Sequence, residues 1–279
     1  MKLTRRKLLK MGGFSAAGLM LSGGAAYGYG RRIEIERYEI TQVPIAIPGL
    51  PSAFDGYRIV LLSDFHLYPH VRLEYLQRVF GVAAGFRPDL IVLTGDFVQA
   101  GSDAIFDLAP ALASMDARDG LFAVLGNHDI WEGGPVVRSG LQAEGISVLS
   151  NQGLALTRGG QRLYLAGVDD ALAGAPDLAA AMEGWDGEKV VLLSHAPDIA
   201  DRFSRDPRVS LQLSGHSHGG QVRFPLIGSP FCPPMGRKYD LGLYRVGEMW
   251  LYTNRGIGVT VPIRINCRPE LTEVTLHRR

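Results

Sequence analysis

Three short apolar runs in the first half of the chain each end in a cluster of polar residues. The runs are Arg58–Leu62, Asp89–Leu93 and Leu121–Leu125. Because they are short and do not alternate, they predict strands that are buried on both faces. Apolar residues at a helical spacing follow each run, in Val71–Ala84, Asp103–Met115 and Pro135–Glu144. This strand–helix repeat predicts a largely parallel sheet with ligands gathered at the carboxyl ends of its strands.

The second half of the chain is richer in predicted strands and has one predicted helix, Pro176–Glu183. Its strands are Ile146–Leu149, Leu154–Leu156, Leu163–Ala166, Val190–Leu193, Val209–Leu213, Met249–Tyr252 and Leu271–Leu276. Near the start, Ile33–Ile47 alternates, and Pro44 within it and Pro48 directly after it favour an edge strand. No linker or internal repeat is visible. Residues 31–279 are therefore predicted to form one α/β domain, a four-layer α/β/β/α sandwich of two packed mixed sheets.

Histidines mark the predicted edge of the sheets. His216 and His218 lie two residues apart after a strand, so both side chains point to one side. Two imidazoles presented together favour a divalent metal, although a lone pair of this kind is also typical of a polar loop. Five of the seven histidines belong to such clusters after apolar runs: His66, His128, His195, His216 and His218. The other two, His70 and His277, are interpreted as surface residues.

Five clusters in a fixed order carry a family resemblance. They are Asp64-x-His66, Gly95-Asp96, Gly126-Asn127-His128-Asp129, His195 and Gly215-His216-x-His218. The series resembles the signature of the calcineurin-like metallophosphoesterases. The later segments Asn254–Gly258, Pro262–Arg264 and Arg268–Leu271 resemble a branch with twin-arginine-exported phosphodiesterases and UDP-2,3-diacylglucosamine hydrolases. One departure is Gln99, which stands where the family often has a carboxylate. This predicts a change in how the surrounding residues tune the metal ligands, or a change in substrate choice.

The resemblance implies a dinuclear metal site. One ion would be held by Asp64, His66 and His218, the other by Asn127, His195 and His216, with Asp96 bridging both. Two divalent ions per chain are expected, with Mn²⁺ as the first choice and Fe, Zn or Co as alternatives. His128 is the candidate for protonating the leaving oxygen, and Asp129 is expected to orient it.

The predicted activity is hydrolysis of phosphodiester or pyrophosphate bonds by a hydroxide that the metals activate. A phosphomonoesterase and a metal-stabilised binding protein without turnover remain as alternatives. The substrate could be lipid-linked, because the apolar, proline-rich segment Phe224–Met235 is interpreted either as a loop bordering the cleft and meeting acyl chains or as a buried connection. Trp131 is expected in the cleft or in the core. A net charge of +1 gives no reason to expect nucleic-acid binding.

The first thirty residues are predicted to be a targeting segment rather than part of the folded domain. Five basic residues occur among the first ten, and residues 11–30 carry no charge. This layout resembles a twin-arginine export signal, which predicts either a periplasmic or extracytoplasmic protein or one anchored to the inner membrane. Two cysteines, Cys232 and Cys267, are interpreted as buried small hydrophobes, with one disulfide after export as the alternative.

Overall fold

The computed structural model describes residues 23–279, so the predicted export motif in residues 1–22 lies outside the described part. Residues 23–32 form a helix, α1. None of the helices within residues 23–279 has both the length and the hydropathy that crossing a bilayer requires.

The first of two six-stranded sheets is built mainly from the first half of the chain. Its strands are β1 (Glu39–Ile47), β2 (Tyr57–Leu62), β3 (Leu90–Leu93), β4 (Leu121–Ala123), β5 (Ser147–Val148) and β12 (Glu270–Arg278). They lie in the order β1-β12-β2-β3-β4-β5. Strands β2 to β5 are parallel, whereas β12 runs antiparallel to β2 and parallel to β1. The carboxyl-terminal strand thus returns to the sheet in which the described chain began.

The second sheet contains the remaining strands in the order β10-β11-β9-β8-β7-β6. They are β6 (Gln152–Arg158), β7 (Gln161–Gly167), β8 (Val190–Leu193), β9 (Val209–Ser214), β10 (Gly242–Val246) and β11 (Met249–Thr253). Strands β7, β8, β9 and β11 are parallel, and an antiparallel strand closes each edge. Both sheets are therefore mixed.

Three apolar clusters separate four layers, which confirms the predicted α/β/β/α sandwich. Along β2, Ile59 and Leu61 point into the core between the sheets, whereas Val60 and Leu62 point toward helices. Both faces are thus covered, which explains the uninterrupted apolar runs. The helices are α2 (Leu73–Gly85), α3 (Ile105–Ala113) and α4 (Asn127–Ala143) outside the first sheet, and α5 (Leu178–Ala181) and α6 (Ala200–Phe203) outside the second.

Several predicted boundaries differ from the structure. The first strand begins at Glu39 rather than Ile33, where its pairing with β12 begins, although its predicted edge position is confirmed. Helix α4 begins at Asn127 rather than Pro135 and bends at Gly133 (φ 138°, ψ 67°). Strand β10 and helix α6 were not predicted. Both cysteines are buried with free thiols.

Candidate metal centre

The predicted ligands converge on one edge of the two sheets. The register aligns Leu62 with Leu93, Leu93 with Ala123, and Leu193 with Leu213, so the carboxyl ends of these strands lie side by side. The candidate ligands follow directly: Asp64 and His66 after β2, Asp96 after β3, Asn127 at the start of α4, His195 after β8, and His216 and His218 after β9. All seven side chains are buried.

Five of these ligand positions have a left-handed backbone, which is unfavourable for residues other than glycine. Their φ angles are 56° at Asp64, 47° at His66, 55° at Asp96, 69° at His216 and 53° at His218. Each such residue costs about 1 kcal/mol or more and persists only where its surroundings hold it. Backbone hydrogen bonds between the loops hold two of them here. The Asp64 N–H donates to the Gly95 carbonyl (2.9 Å), and the His66 N–H donates to the Asp96 backbone carbonyl (3.0 Å).

The first ligand group brings together Asp64, His66 and His218, whose ligand atoms all lie within 4.8 Å of one another. Nε2 of His218 lies 3.4 Å from Oδ1 of Asp64 and 2.9 Å from Nε2 of His66. Two buried imidazole nitrogens at this separation face each other with their lone pairs unless a proton or a cation lies between them. The arrangement suits a cation.

The second ligand group brings together Asp96, His195 and His216. Nε2 of His195 lies 3.2 Å from each of three acceptor atoms: Oδ2 of Asp96, Oδ1 of Asn127 and Nδ1 of His216. The same Oδ2 atom of Asp96 lies 3.5 Å from Nε2 of His66 in the first group. Asp96 therefore stands between the two groups, in the position that a bridging carboxylate requires.

Backbone carbonyls fix the orientation of two imidazoles in the second group. Nδ1 of His195 lies 2.6 Å from the Thr94 carbonyl, and Nε2 of His216 lies 2.7 Å from the Pro234 carbonyl. A carbonyl can only accept, so these nitrogens carry the protons and donate. The opposite nitrogens, Nε2 of His195 and Nδ1 of His216, point into the site, where a metal would bind them.

The protonation of the site agrees with metal binding. Burial lowers the pKa of His66 to about 3 and lowers that of His218 well below its usual range, so both imidazoles are neutral. Burial opposes ionisation of Asp96, but the neighbouring histidines, above all His195, outweigh it and lower the pKa of this carboxyl. Burial raises the pKa of Asp64 to about 6. Burial opposes protonation of His195, but Asp96, through its charge and a hydrogen bond, outweighs it and raises the pKa of His195 well above its usual value. A cation bound here would replace that proton. Imidazoles, carboxylates and one amide oxygen form a donor set for divalent transition metals.

His128 lies at the rim of the centre, where one of its ring nitrogens forms a third close group with ligand atoms of His66 and Asp96, all within 4.8 Å of one another. Its side chain is half-buried, and its ring packs at 90° against the ring of His66, with the centroids 4.8 Å apart. Trp131 contacts the other side, with centroids 5.4 Å apart. Trp131 is 59% exposed, so it borders the cleft rather than the core.

Asp129, which the sequence predicts to orient His128, forms its hydrogen bonds with backbone groups. Its carboxylate accepts four backbone N–H groups, from Gly126 (2.9 Å), Asp96 (2.8 Å), Phe97 (2.7 Å) and Val98 (3.2 Å). These bonds occupy both oxygens and tie the Asp96 loop to the start of α4. Burial, followed by the charge of Asp96, raises the pKa of Asp129 to about 7, and the four N–H donors, which need unprotonated oxygens, act in the opposite direction.

Arg264 has a structural role that the sequence gave no reason to assign. Its guanidinium is completely buried and donates to the carbonyls of Arg255 (2.7 Å), Gly258 (2.7 Å) and Cys267 (3.1 Å). The loop that it holds contacts the centre, since the Gly258 N–H donates to the Asp64 carbonyl (2.7 Å). In the sequence, Arg264 stood out only as part of the segment Pro262–Arg264. Its partners are backbone atoms, which leave no side-chain pattern to detect.

A cleft of about 560 Å³ opens above the ligands. Its polar floor includes Asp96 and His216, and its walls are largely apolar: Trp131, Leu172, Val222, Phe231, Val261 and Ile263. The segment Phe224–Met235 borders this cleft through Phe231 and two prolines, and it is largely exposed rather than a buried connection. His70 and His277 are exposed, as predicted.

Known proteins resemble most or nearly all of the chain. Residues 57–220 match the model of the calcineurin-like phosphoesterase family. The uncharacterized metallophosphoesterase YkuE of Bacillus subtilis is 38% identical, over 99% of this chain and 98% of its own. The phosphodiesterase YaeI of Escherichia coli is 32% identical, over 98% of this chain and 99% of its own. The solved sulfate thiohydrolase SoxB of Thermus thermophilus shares the fold at 14% identity (TM-score 0.52), over 82% of this chain and 57% of its own.

Proposed function

Because this chain belongs to the calcineurin-like phosphoesterase family, we propose that it hydrolyses phosphodiester or pyrophosphate bonds with a pair of divalent cations. Membership of this family makes the chain a metal-dependent phosphoester hydrolase. That two metal ions act together is our proposal. The observation that carries it is the position of one Asp96 oxygen, 3.5 Å from Nε2 of His66 and 3.2 Å from Nε2 of His195. A carboxylate between two ligand groups is the arrangement that a dinuclear centre needs.

Each ligand group would hold one ion. Asp64, His66 and His218 would bind the first, Asn127, His195 and His216 would bind the second, and Asp96 would contact both. The bound ions would supply positive charge for a phosphate anion and a water ionised near neutral pH. Mn²⁺ is the proposed metal, with Fe, Zn or Co as alternatives, since all accept imidazole and carboxylate together.

His128 is proposed as the group that protonates the leaving oxygen. Its half-buried ring is open to the cleft. The backbone N–H of His128 donates to Oδ1 of Asp96 (2.9 Å), which fixes the backbone beside the centre. Contacts with His66 and Trp131 on either side hold the ring over the floor of the cleft. A general acid positioned in this way contributes about 10²–10⁴ in rate.

The test uses the full chain loaded with Mn²⁺ and a soluble aryl phosphodiester. His128→Asn should lower kcat about 10²–10⁴-fold with metal content unchanged. Asp96→Asn should lower metal content itself. His70→Asn, at an exposed histidine, is the matched control. If the chain binds two metals and hydrolyses no phosphoester with any of them, the alternative of a binding protein without turnover replaces the proposal.

The substrate class follows from the cleft and from one relative. The apolar walls favour an ester that carries an apolar group, and a lipid-linked phosphodiester fits that description. Phosphodiesterase YaeI supports a diester over a monoester. Turnover of matched aryl diesters and monoesters that differ in one apolar substituent measures both preferences. A higher kcat/KM for the monoesters would favour the phosphomonoesterase alternative.

We also propose that residues 1–30 direct the chain out of the cytoplasm by the twin-arginine route or anchor it to the inner membrane. The support is the basic start followed by an uncharged stretch. Replacing Arg5 and Arg6 together with Lys should leave the chain in the cytoplasm, as measured by fractionation, if this pair is read as an export signal. An unchanged distribution of the chain would contradict export through that pair.

A further inference from the structure

Exposed apolar side chains are concentrated on the edge that carries the metal centre. Within residues 23–279, thirteen large apolar side chains are exposed, and nine of them lie after the carboxyl end of a parallel strand or in the first two turns of the helix that follows. Exposed apolar residues that occur singly are ordinary on protein surfaces. A concentration around one cleft indicates an interaction surface.

The most exposed of these side chains are held out by a defined turn. The Gly228 N–H donates to the Phe224 carbonyl (3.0 Å), and the Phe224 N–H donates to the Gly228 carbonyl (2.9 Å). Leu226 and Ile227 lie at the tip of this turn, 108% and 80% exposed. Paired backbone bonds at the base of the turn show that the tip is a built feature that projects apolar groups into solvent.

The amino-terminal segment reaches the body of the protein beside the same edge. The Arg264 N–H donates to the Gly30 carbonyl at the end of α1 (3.1 Å), and a Cβ at Gly30 would lie only 2.7 Å from the side chain of Ile265. The Arg223 N–H, at the start of the exposed segment, donates to the carbonyl of Ile265 (2.9 Å). The uncharged stretch of residues 11–30 therefore ends next to the projecting turn.

Basic side chains border this surface. Arg31 and Arg32 are exposed directly after the uncharged stretch, and Arg237 is exposed just beyond Phe231. Apolar tips with exposed arginines beside them suit an anionic membrane interface, where the apolar groups enter the acyl boundary and the basic groups face the anionic headgroups.

We infer that an apolar rim, formed by Trp131, Phe224, Leu226, Ile227, Phe231 and Val261, docks the mouth of the metal cleft onto an anionic lipid bilayer. The inference deepens the proposed function, because it names the surface on which the enzyme would meet its substrate. If the uncharged stretch of residues 11–30 only tethered the protein, it would not determine which way the cleft faces. The rim fixes that orientation with the cleft toward the lipid.

The test places an environment-sensitive fluorophore on the rim of the full chain. Leu226→Cys carries the probe, Glu248→Cys carries it at the opposite edge, where β11 begins, and the unsubstituted chain measures labelling of the buried Cys232 and Cys267. Vesicles of phosphatidylcholine with about 30% phosphatidylglycerol should shift the Leu226 probe to the blue and expose it to quenching by spin-labelled lipid. The Glu248 probe should stay water-like.

Two results would overturn the inference. A water-like Leu226 probe on a chain that floats with the vesicles would mean that the amino-terminal segment alone holds the protein. An apolar probe signal without vesicles, rising with protein concentration, would mean that a second copy covers the rim. In the labelled Leu226→Cys variant, the further substitutions Phe224→Asp and Ile227→Asp should return the probe to water-like emission in the presence of vesicles. Hydrolysis of a soluble aryl phosphodiester on the same samples tests the proposed function separately, because that ester needs no membrane.

Discussion

Replacing Asp129 with Asn separates the role predicted from the sequence from the role seen in the structure. In the structure each oxygen of this buried carboxylate accepts two backbone N–H groups: Oδ2 from Gly126 and Asp96, and Oδ1 from Phe97 and Val98. The carboxamide of Asn offers one acceptor oxygen, and its NH₂ group would face two of these donors. The substitution therefore changes almost no volume but removes half of the acceptors.

The magnitude follows from the number of bonds lost. A hydrogen bond to a charged group contributes about 1.5–3 kcal/mol, so two lost bonds lower the free energy of unfolding by about 3–6 kcal/mol. That is a large part of the 5–15 kcal/mol that is typical of a whole domain, as an approximate range. Since the bonds to Asp96 and Phe97 shape the loop that carries Asp96, the proposed bridging ligand, metal affinity should fall with stability.

Three measurements on the same protein check this reasoning. Urea unfolding gives the free-energy change, metal analysis gives the ions retained, and single-turnover kinetics at saturating Mn²⁺ gives the chemical step. Asp116→Asn, at an exposed aspartate, is the control and should change stability by less than about 0.5 kcal/mol.

One outcome would refute the structural argument. If Asp129→Asn kept its stability and both metals but lost kcat as severely as His128→Asn, the carboxylate would act on the His128 ring, as the sequence first suggested. A loss of stability and metal, with kcat largely restored by excess Mn²⁺, supports the backbone-holding role.

Three further predictions concern the metals, a buried carboxylate and a buried cation. Removal of metal with EDTA should lower the melting temperature, and Mn²⁺ at about 100 times its Kd should restore about 2.7 kcal/mol per site, as measured by calorimetry; no shift with any divalent ion would contradict the proposed centre. Burial opposes ionisation of Glu270, but Arg255 and hydrogen bonds from neighbouring groups outweigh it and lower its pKa. Ionised Glu270 thus stabilises the fold fully at a pH above the usual Glu pKa of 4.5, and this contribution is lost as the pH falls through the lower pKa of the folded state. Glu270→Gln should therefore reduce the dependence of the unfolding free energy on pH in the acid range. Arg264→Met should cost about 4 kcal/mol in urea unfolding and Arg264→Lys roughly half, because lysine keeps the charge but reaches fewer carbonyls; equal losses would mean that the fork geometry is unimportant.

The sequence predicted the layers and the ligands because both are encoded locally. An apolar run such as Tyr57–Leu62 must be buried on both faces, and the polar residues that follow it must lie at the end of a strand. Parallel strands then bring their carboxyl ends to one edge, which predicts that polar residues gather there. The choice of Asp64, Asp96 and His195 as ligands came from the resemblance of the five ordered clusters to the metallophosphoesterase signature.

Contacts between distant loops decided what the sequence could not. The partners of Asp129 are backbone N–H groups 31 to 33 residues away in the chain, apart from that of Gly126, and those of Arg264 are mainly backbone carbonyls. Every residue carries such groups, so no sequence pattern distinguishes them. The side of the molecule that exposes Leu226 and Ile227 was likewise fixed by where the turn packs. Residue type determines which chemistry is available, whereas packing determines which atoms it meets.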